Sequence, residues 1–238
     1  MVGNKRGEIR KEVILRIIML LLSALVLFPF LYCVAYSLSD SVAVMTTQIT
    51  IFPVQPTFKN YIEVLNQRNI FNSFFISIAR TVLGATYTAV VTGLASYAIS
   101  KRGLPGRRGL SIFMLIPMYI SGGLIPTYMV VRNTGLIDSI WSLVLPNAVN
   151  VFNTILLMNF FRSLPKELEE AAYVDGATNF RVLRMIILPV SKPVLATVTL
   201  FVIVNHWNSW FDGLIYSNHT TNYPLQSYLQ TLVTSTTE

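Results

Sequence analysis

Charge and sulfur are what this sequence has least of. Only 12% of its 238 residues are Asp, Glu, Lys or Arg, about half the share usual in a soluble domain, so a water-facing surface of ordinary composition is excluded. The single cysteine, Cys33, sits inside an apolar run. No intrachain disulfide and no cysteine-based metal site can form from it. The two histidines, His206 and His219, are too isolated to found a metal site, and His206 beside Trp207 reads as a donor between helices. The carboxylates near apolar runs are Asp40, Glu63, Asp138 and Asp212, all at run ends, and no HExxH or Ser/His arrangement accompanies them. Nothing converges on a reaction centre, so no catalytic residue is assigned and no cofactor is expected in this chain. A GxxxxGK[ST] phosphate loop is also missing, so this chain reads as a non-catalytic subunit, with ATP hydrolysis expected in a partner.

What is present is apolar length. Hydrophobic residues make up 53% of the chain and the mean hydropathy is +0.56, the composition of an all-α integral membrane protein. A spanning helix needs about 20 apolar residues, and five stretches supply them: roughly 13–38, 71–100, 110–131, 140–161 and 193–215. The net charge of +7 does not point to nucleic acid, because the cations cluster at span ends without interleaved exposed aromatics. Counted by side, fourteen Lys and Arg fall with the N-terminus and with the segments 101–108 and 162–192, against Lys59, Arg68 and Arg132 opposite. The positive-inside rule then places residues 1–12 and the 162–192 loop in the cytoplasm. Residues 13–238 read as one membrane domain without internal repeats. The first span contains Arg16 and lacks a cleavage pattern, so it is expected to stay as an anchor. Residues 39–70 are expected outside, as an extended Thr/Ile-rich stretch broken by Pro53 and Pro56 and followed by a short amphipathic helix in FKNYIEVL that could meet an extracytoplasmic partner. The chain is expected to end outside in the tail TLVTSTTE.

Between the last two spans lies a polar module, EAAYVDGATNFRVLRMIILPVSKP, from Glu170 to Pro193. Pro165 marks a helix start, Glu167, Glu169 and Glu170 favour the positive end of its dipole, and Gly176 is placed to end it in a left-handed cap. Thr178 or Asn179 can cap a second helix in which Phe180, Leu183, Ile186 and Ile187 recur at helical spacing, with Pro189 closing it. Leu168, Ala171 and Ala172 form a face with little side chain on it, open to another protein's groove. A plain connection between spans would need none of this.

These residues resemble the EAA loop of the permease subunits of binding-protein-dependent ABC importers. The matching positions are Glu170, Ala171, Ala172, Asp175, Gly176 and Ala177, followed by Ile186, Leu188 and Pro189. The likeness extends through NFFRSLPKELEEAA, IPTYMVVRNTGLIDS, NHWNSWFDGLIY and YPLQSYLQ, and is similar to the smaller permease of the carbohydrate-uptake branch. The resemblance implies a type I importer permease in the bacterial inner membrane. It implies a second, different permease, two ATPase subunits holding ATP and Mg, and an extracytoplasmic solute-binding protein. Leu168, Glu170, Ala171, Ala172, Asp175, Gly176 and Ala177 would form the ATPase-coupling helix, with Asp175 capping or bracing it. Members of this branch have six spans, so a sixth is expected to be missing beyond Glu238. A non-carbohydrate solute is the alternative within the family, and a stand-alone channel or secondary transporter the alternative outside it.

The remaining polar residues at membrane depth supply candidates for the path. Asn147, Asn150 and Asn153 recur every third residue, and Asn205, Trp207, Asn208 and Trp210 follow in the next span. Amides beside aromatic faces suit a saccharide, while the same amides equally serve as hydrogen bonds between helices. Arg80 either snorkels to the outer interface or pairs with Asp212. Pro117, Pro126 and the Gly122-Gly123 pair break the third span, and Pro29 and Pro146 are placed to kink the first and fourth.

Overall fold

The computed structural model describes residues 5–46 and 51–235. Helices account for nearly all of its regular structure; among the described residues the sole β-type pairing is an isolated bridge between Ser39 and Pro56. The chain divides into two units, Met1–Arg68 and Asn69–Glu238.

The first unit is dominated by α1 (Lys5–Ser37), which runs through Pro29 as one helix. From residue 9 to residue 34 every side chain is exposed. A helix apolar on all sides over this length is one that can cross a bilayer. Its C-terminal end is tied to the following segment by polar side chains. The Ser39 hydroxyl donates to the Ala35 carbonyl (2.7 Å) and accepts from the Val54 amide (2.9 Å), and the Asn60 amide donates to the Ser37 and Ser39 carbonyls. The stretch expected to be extended instead opens with a helical turn, α2 (Ser41–Thr46), started by the Asp40 carboxylate accepting from the Val42 amide. Residues 47–50 of that stretch lie outside the described residues. The FKNYIEVL helix is present as α3 (Lys59–Leu65), with no buried residue.

The second unit is organised on α4 (Arg68–Ser100), a single long helix. Its buried positions Ser73, Ser77, Thr81, Gly84, Ala85, Thr88, Thr92 and Ser96 recur every three or four residues, a small-residue stripe along which other helices can approach closely. The remaining spans are bent. The third is α5 (Arg107–Tyr119) and α6 (Leu124–Asn133), set at 114° with Gly123 at positive φ between them, so the expected break is present. The fourth begins in 3-10 turns at Ile140–Leu143 and Leu145–Asn147, which contain Pro146, and turns by 51° into α7 (Val151–Ser163).

Two expectations are corrected here. The fifth span does not run through to 215: α11 (Lys192–Asn208) ends at an extended Ser209, and α12 (Phe211–Tyr216) starts afresh. Ser209 is extended because its carbonyl accepts from Arg80 (2.8 Å) and its hydroxyl donates to Asp212. Nor does Pro189 close the module's second helix. After α8 (Glu167–Val174) and α9 (Asn179–Val182) the backbone widens into a π turn at Leu183–Ile187 and continues as α10 (Leu188–Val190). A π turn shifts the hydrogen-bond register, so the amide that proline lacks is not missed. The Thr-rich end is helical through Ser235 as α13 (Leu225–Ser235), and 236–238 lie outside the described residues.

Two apolar clusters hold this unit. One joins Tyr97, Leu157, Phe161, Val182, Leu183, Ile187 and Val198, and so packs the polar module onto α4, α7 and α11. Where the cluster lies within the bilayer, close packing and not removal from water holds these side chains together. The other joins Val131, Leu143 and Tyr216, where Tyr128 and Tyr216 stack at 6.4 Å.

Candidate functional site

The module owes its shape to how α8 ends. The Ala177 amide donates to the Ala172 carbonyl (2.9 Å) and the Gly176 amide to the Tyr173 carbonyl (3.0 Å). With Gly176 at φ +76, this is a Schellman closure, in which the left-handed residue favours glycine and the flanking apolar residues meet. Asp175 occupies the C-cap, and Ala172 and Ala177 both pack against the core cluster. Thr178 is the N-cap of α9, its hydroxyl accepting from the Arg181 amide. The D-G-A-T sequence thus makes a sharp, rigid turn.

This placement sorts the coupling candidates. Leu168, Glu170, Ala171, Asp175 and Gly176 are exposed, whereas Ala172 and Ala177 face inward. Ala172 therefore belongs to the turn and does not lie on the outward face. Val174, 88% exposed and three residues after Ala171, completes that face with Leu168. Its spacing was visible in the sequence, but nothing there told which side of α8 the bundle would cover.

A second set of contacts fixes α8 to the end of α4. Lys101 pairs with Glu169, donates to the Tyr173 hydroxyl (3.3 Å), and lies 4.3 Å from the Tyr97 ring centroid. The Tyr97 and Tyr173 hydroxyls donate to the backbone carbonyl and side-chain oxygen of Asn179, at 3.1 and 2.7 Å. Burial alone would lower the Lys101 pKa, yet its hydrogen bonds to Glu169, Tyr97 and Tyr173 outweigh that and hold it above the ordinary lysine value. None of these partners is near Lys101 in sequence apart from Tyr97, so no local pattern announces them.

In the bundle, Asn147, Asn150, Asn153 and Asn205 line one cavity of about 380 Å³ together with Thr88 and His206. Asn205 also borders a neighbouring cavity of about 670 Å³ that includes Asn208 and Trp210. Trp207 is directed elsewhere, edge-on to Phe74 at 6.2 Å. Asn150 has a structural duty as well: its side-chain oxygen accepts from the Asn153 amide (3.0 Å) and caps α7. Arg80, 1% exposed, pairs with Asp212, and of the two sequence readings this is the one realised. His206 is buried against Gly84.

A lipid-embedded helical bundle, bent spans and a rigid helix-turn-helix module between the last of them define a transport permease. Residues 89–211 match the family model described as the binding-protein-dependent transport system inner membrane component. The chain belongs to that family, and it is a permease subunit of a binding-protein-dependent importer of the inner membrane. It is 34% identical over 215 residues to the polygalacturonan/rhamnogalacturonan transport system permease protein YtcP of Bacillus subtilis, covering 90% of this chain and 75% of the relative. It is 40% identical over 207 residues to Protein LplC of the same organism, covering 87% and 70%. In three dimensions it matches a chain from the crystal structure of a bacterial ABC transporter involved in the import of the acidic polysaccharide alginate, with a TM-score of 0.91 at 29% identity over 97% of this chain and 82% of that one.

Proposed function

We propose that this chain forms half of the translocation path for a sugar or oligosaccharide and is driven by ATP hydrolysis in a partner. The observation that carries the reading is the outward face of α8: Leu168, Ala171 and Val174 stand exposed on a helix that a Schellman turn and a buried core hold rigid. An exposed apolar face on a fixed polar module is a docking surface. Glu170 beside it offers a charge-assisted bond to a basic group on the ATPase. Closure of the paired ATPases would then bias the bundle between inward-facing and outward-facing arrangements.

The assembly would comprise this chain, a second and different permease, two ATPase subunits and an extracytoplasmic solute-binding protein. ATP and Mg would reside in the ATPases. The N-terminus and the 162–192 module would lie in the cytoplasm, as the distribution of Lys and Arg favours. For the cargo, support comes from the relatives whose names specify polysaccharides and from the asparagine-lined cavities with Trp210 at their edge.

Copurification tests the coupling. Gly176→Asp puts a side chain on a left-handed backbone, at a cost of about 1–2 kcal/mol, and adds a charge beside the docking face. The expected result is loss of the ATPase from the purified complex while the second permease is retained. Uptake that continues in cells lacking the ATPase would instead establish an independent channel or secondary transporter. A thermal-shift screen of the cognate binding protein over a glycan panel tests the cargo, and stabilisation by amino acids or peptides alone would refute the carbohydrate assignment.

A further inference from the structure

Between the end of α4, the start of α5 and the end of α7 lies a cavity of about 410 Å³ whose arginines the coupling reading does not use. Its cations come from four separate places: Lys101 and Arg102 just after α4, Arg107 in the first turn of α5, Arg162 in the last turn of α7, and Lys166 before α8. Two acids share the wall, Glu169 and Glu170, and Glu169 is committed to Lys101. Arg102, Arg107, Arg162 and Lys166 have no ion-pair partner among the described residues.

Arg107 and Arg162 both line this cavity, so two guanidiniums of like charge share its wall. Arg162 is held there by donating to the Ile99 carbonyl (3.2 Å), so it is not free to swing away. Arg107 also opens α5 with no acidic residue in the first turn and no side-chain cap, which adds its charge to the positive end of a helix dipole. An anion set between the two guanidiniums would relieve both conflicts, and phosphate suits the forked donors of arginine best.

We propose that this cavity binds the phosphate of an anionic phospholipid headgroup. Its level in the fold selects lipid as the source of that phosphate. The cations sit at the ends of three membrane helices, where headgroups lie. Basic pockets between transmembrane helices are a known way to hold such headgroups. The proposal rests on the importer reading only for the identity of the leaflet, which is the cytoplasmic one.

The test uses the whole importer purified in detergent, incubated with equal amounts of phosphatidylglycerol and phosphatidylcholine, with bound lipid quantified by native mass spectrometry. Wild type is expected to retain phosphatidylglycerol preferentially. Each arginine removed should lower that preference by about fivefold, so Arg107→Gln and Arg162→Gln are measured singly and together. Arg102→Gln with Lys166→Gln, at exposed positions, gives a second variant that leaves packing intact and should also lower the preference. Arg132→Gln, on α6 and outside the cavity, should not. Unchanged phosphatidylglycerol binding in the Arg107/Arg162 and Arg102/Lys166 variants overturns the site. In a parallel arm, inorganic phosphate is added to the importer in phosphatidylcholine alone. Stabilisation equal to that from phosphatidylglycerol would assign the site to a soluble anion and overturn the lipid. ATPase copurification is scored in the same samples. Its absence from wild type with lipid preference intact would count against the importer reading and leave this site standing.

Discussion

Gly84 and His206 show how closely single residues are fitted. A Cβ on Gly84 would lie 2.6 Å from the His206 imidazole, too near for any side chain to be added without movement. Both residues sit on the seam between α4 and α11, and the ring also borders the cavity of about 380 Å³, so it must turn toward that space to admit a Cβ. Gly84→Ala is expected to cost about 1 kcal/mol, the low end of the range for overpacking. Thermal unfolding of the purified permease should show it, and His206→Ala should restore most of the loss when combined with it. Arg80 and Asp212 illustrate the opposite hazard. Among the described residues, their charges are compensated by one another and by Ser209. Removing one partner strands the other, at about 3–5 kcal/mol, while replacing both with apolar residues of similar size is far less harmful. Arg80→Met should therefore lower the melting temperature more than Arg80→Met with Asp212→Leu. An equal or greater loss in the double variant would mean that the ion pair itself stabilises the fold.

Among the elements, those specified by their own neighbours were legible and those specified by distant partners were not. The α8 turn could be read from first-turn acids, D-G-A and a capping threonine, because the backbone and capping bonds that close it lie within six residues. The break between α5 and α6 was equally plain from Gly122-Gly123 and two prolines. The small-residue stripe of α4 was there to be read from its spacing and was missed. By contrast, the end of α11 at Ser209 depends on Arg80, and the 84° turn between the Asn179–Val190 segment and α11 follows a π turn that no residue type announces. The segment after α12 is another long-range case. Asp138, at φ +62, accepts from the Asn218 backbone amide (2.7 Å) and its side-chain amide (2.6 Å). These bonds, the backbone one first, hold the Asp138 carboxyl below the ordinary carboxylate value. A depressed folded pKa gives stability that is present above about pH 3.9, the unfolded value, and is lost as pH falls through the folded one. Limited proteolysis around 217–222 should accelerate in acid, and Asp138→Asn should abolish that acid dependence while weakening the tether at neutral pH.

At the scale of the whole molecule, the coupling proposed for α8 requires that a push there reach helices that cross the bilayer. The core cluster joins the module to α4, α7 and α11, but apolar packing alone permits sliding. Lys101 supplies direction, because it is bonded to Glu169 and Tyr173 on the module side while resting on Tyr97 of α4. The pair is partly buried, so removing one partner also costs some stability. Its value lies in holding two elements in register. Lys101→Glu and Glu169→Lys are each expected to leave assembly and basal ATP hydrolysis near wild type, yet to raise the number of ATP molecules consumed per solute imported in proteoliposomes. The double exchange restores opposite charges in the same place and should bring the ratio back. A residue that merely helps the protein fold would lower the yield of complex in each variant and leave that ratio unmoved. Single variants with normal coupling would assign transmission of the ATPase stroke to the packed core alone.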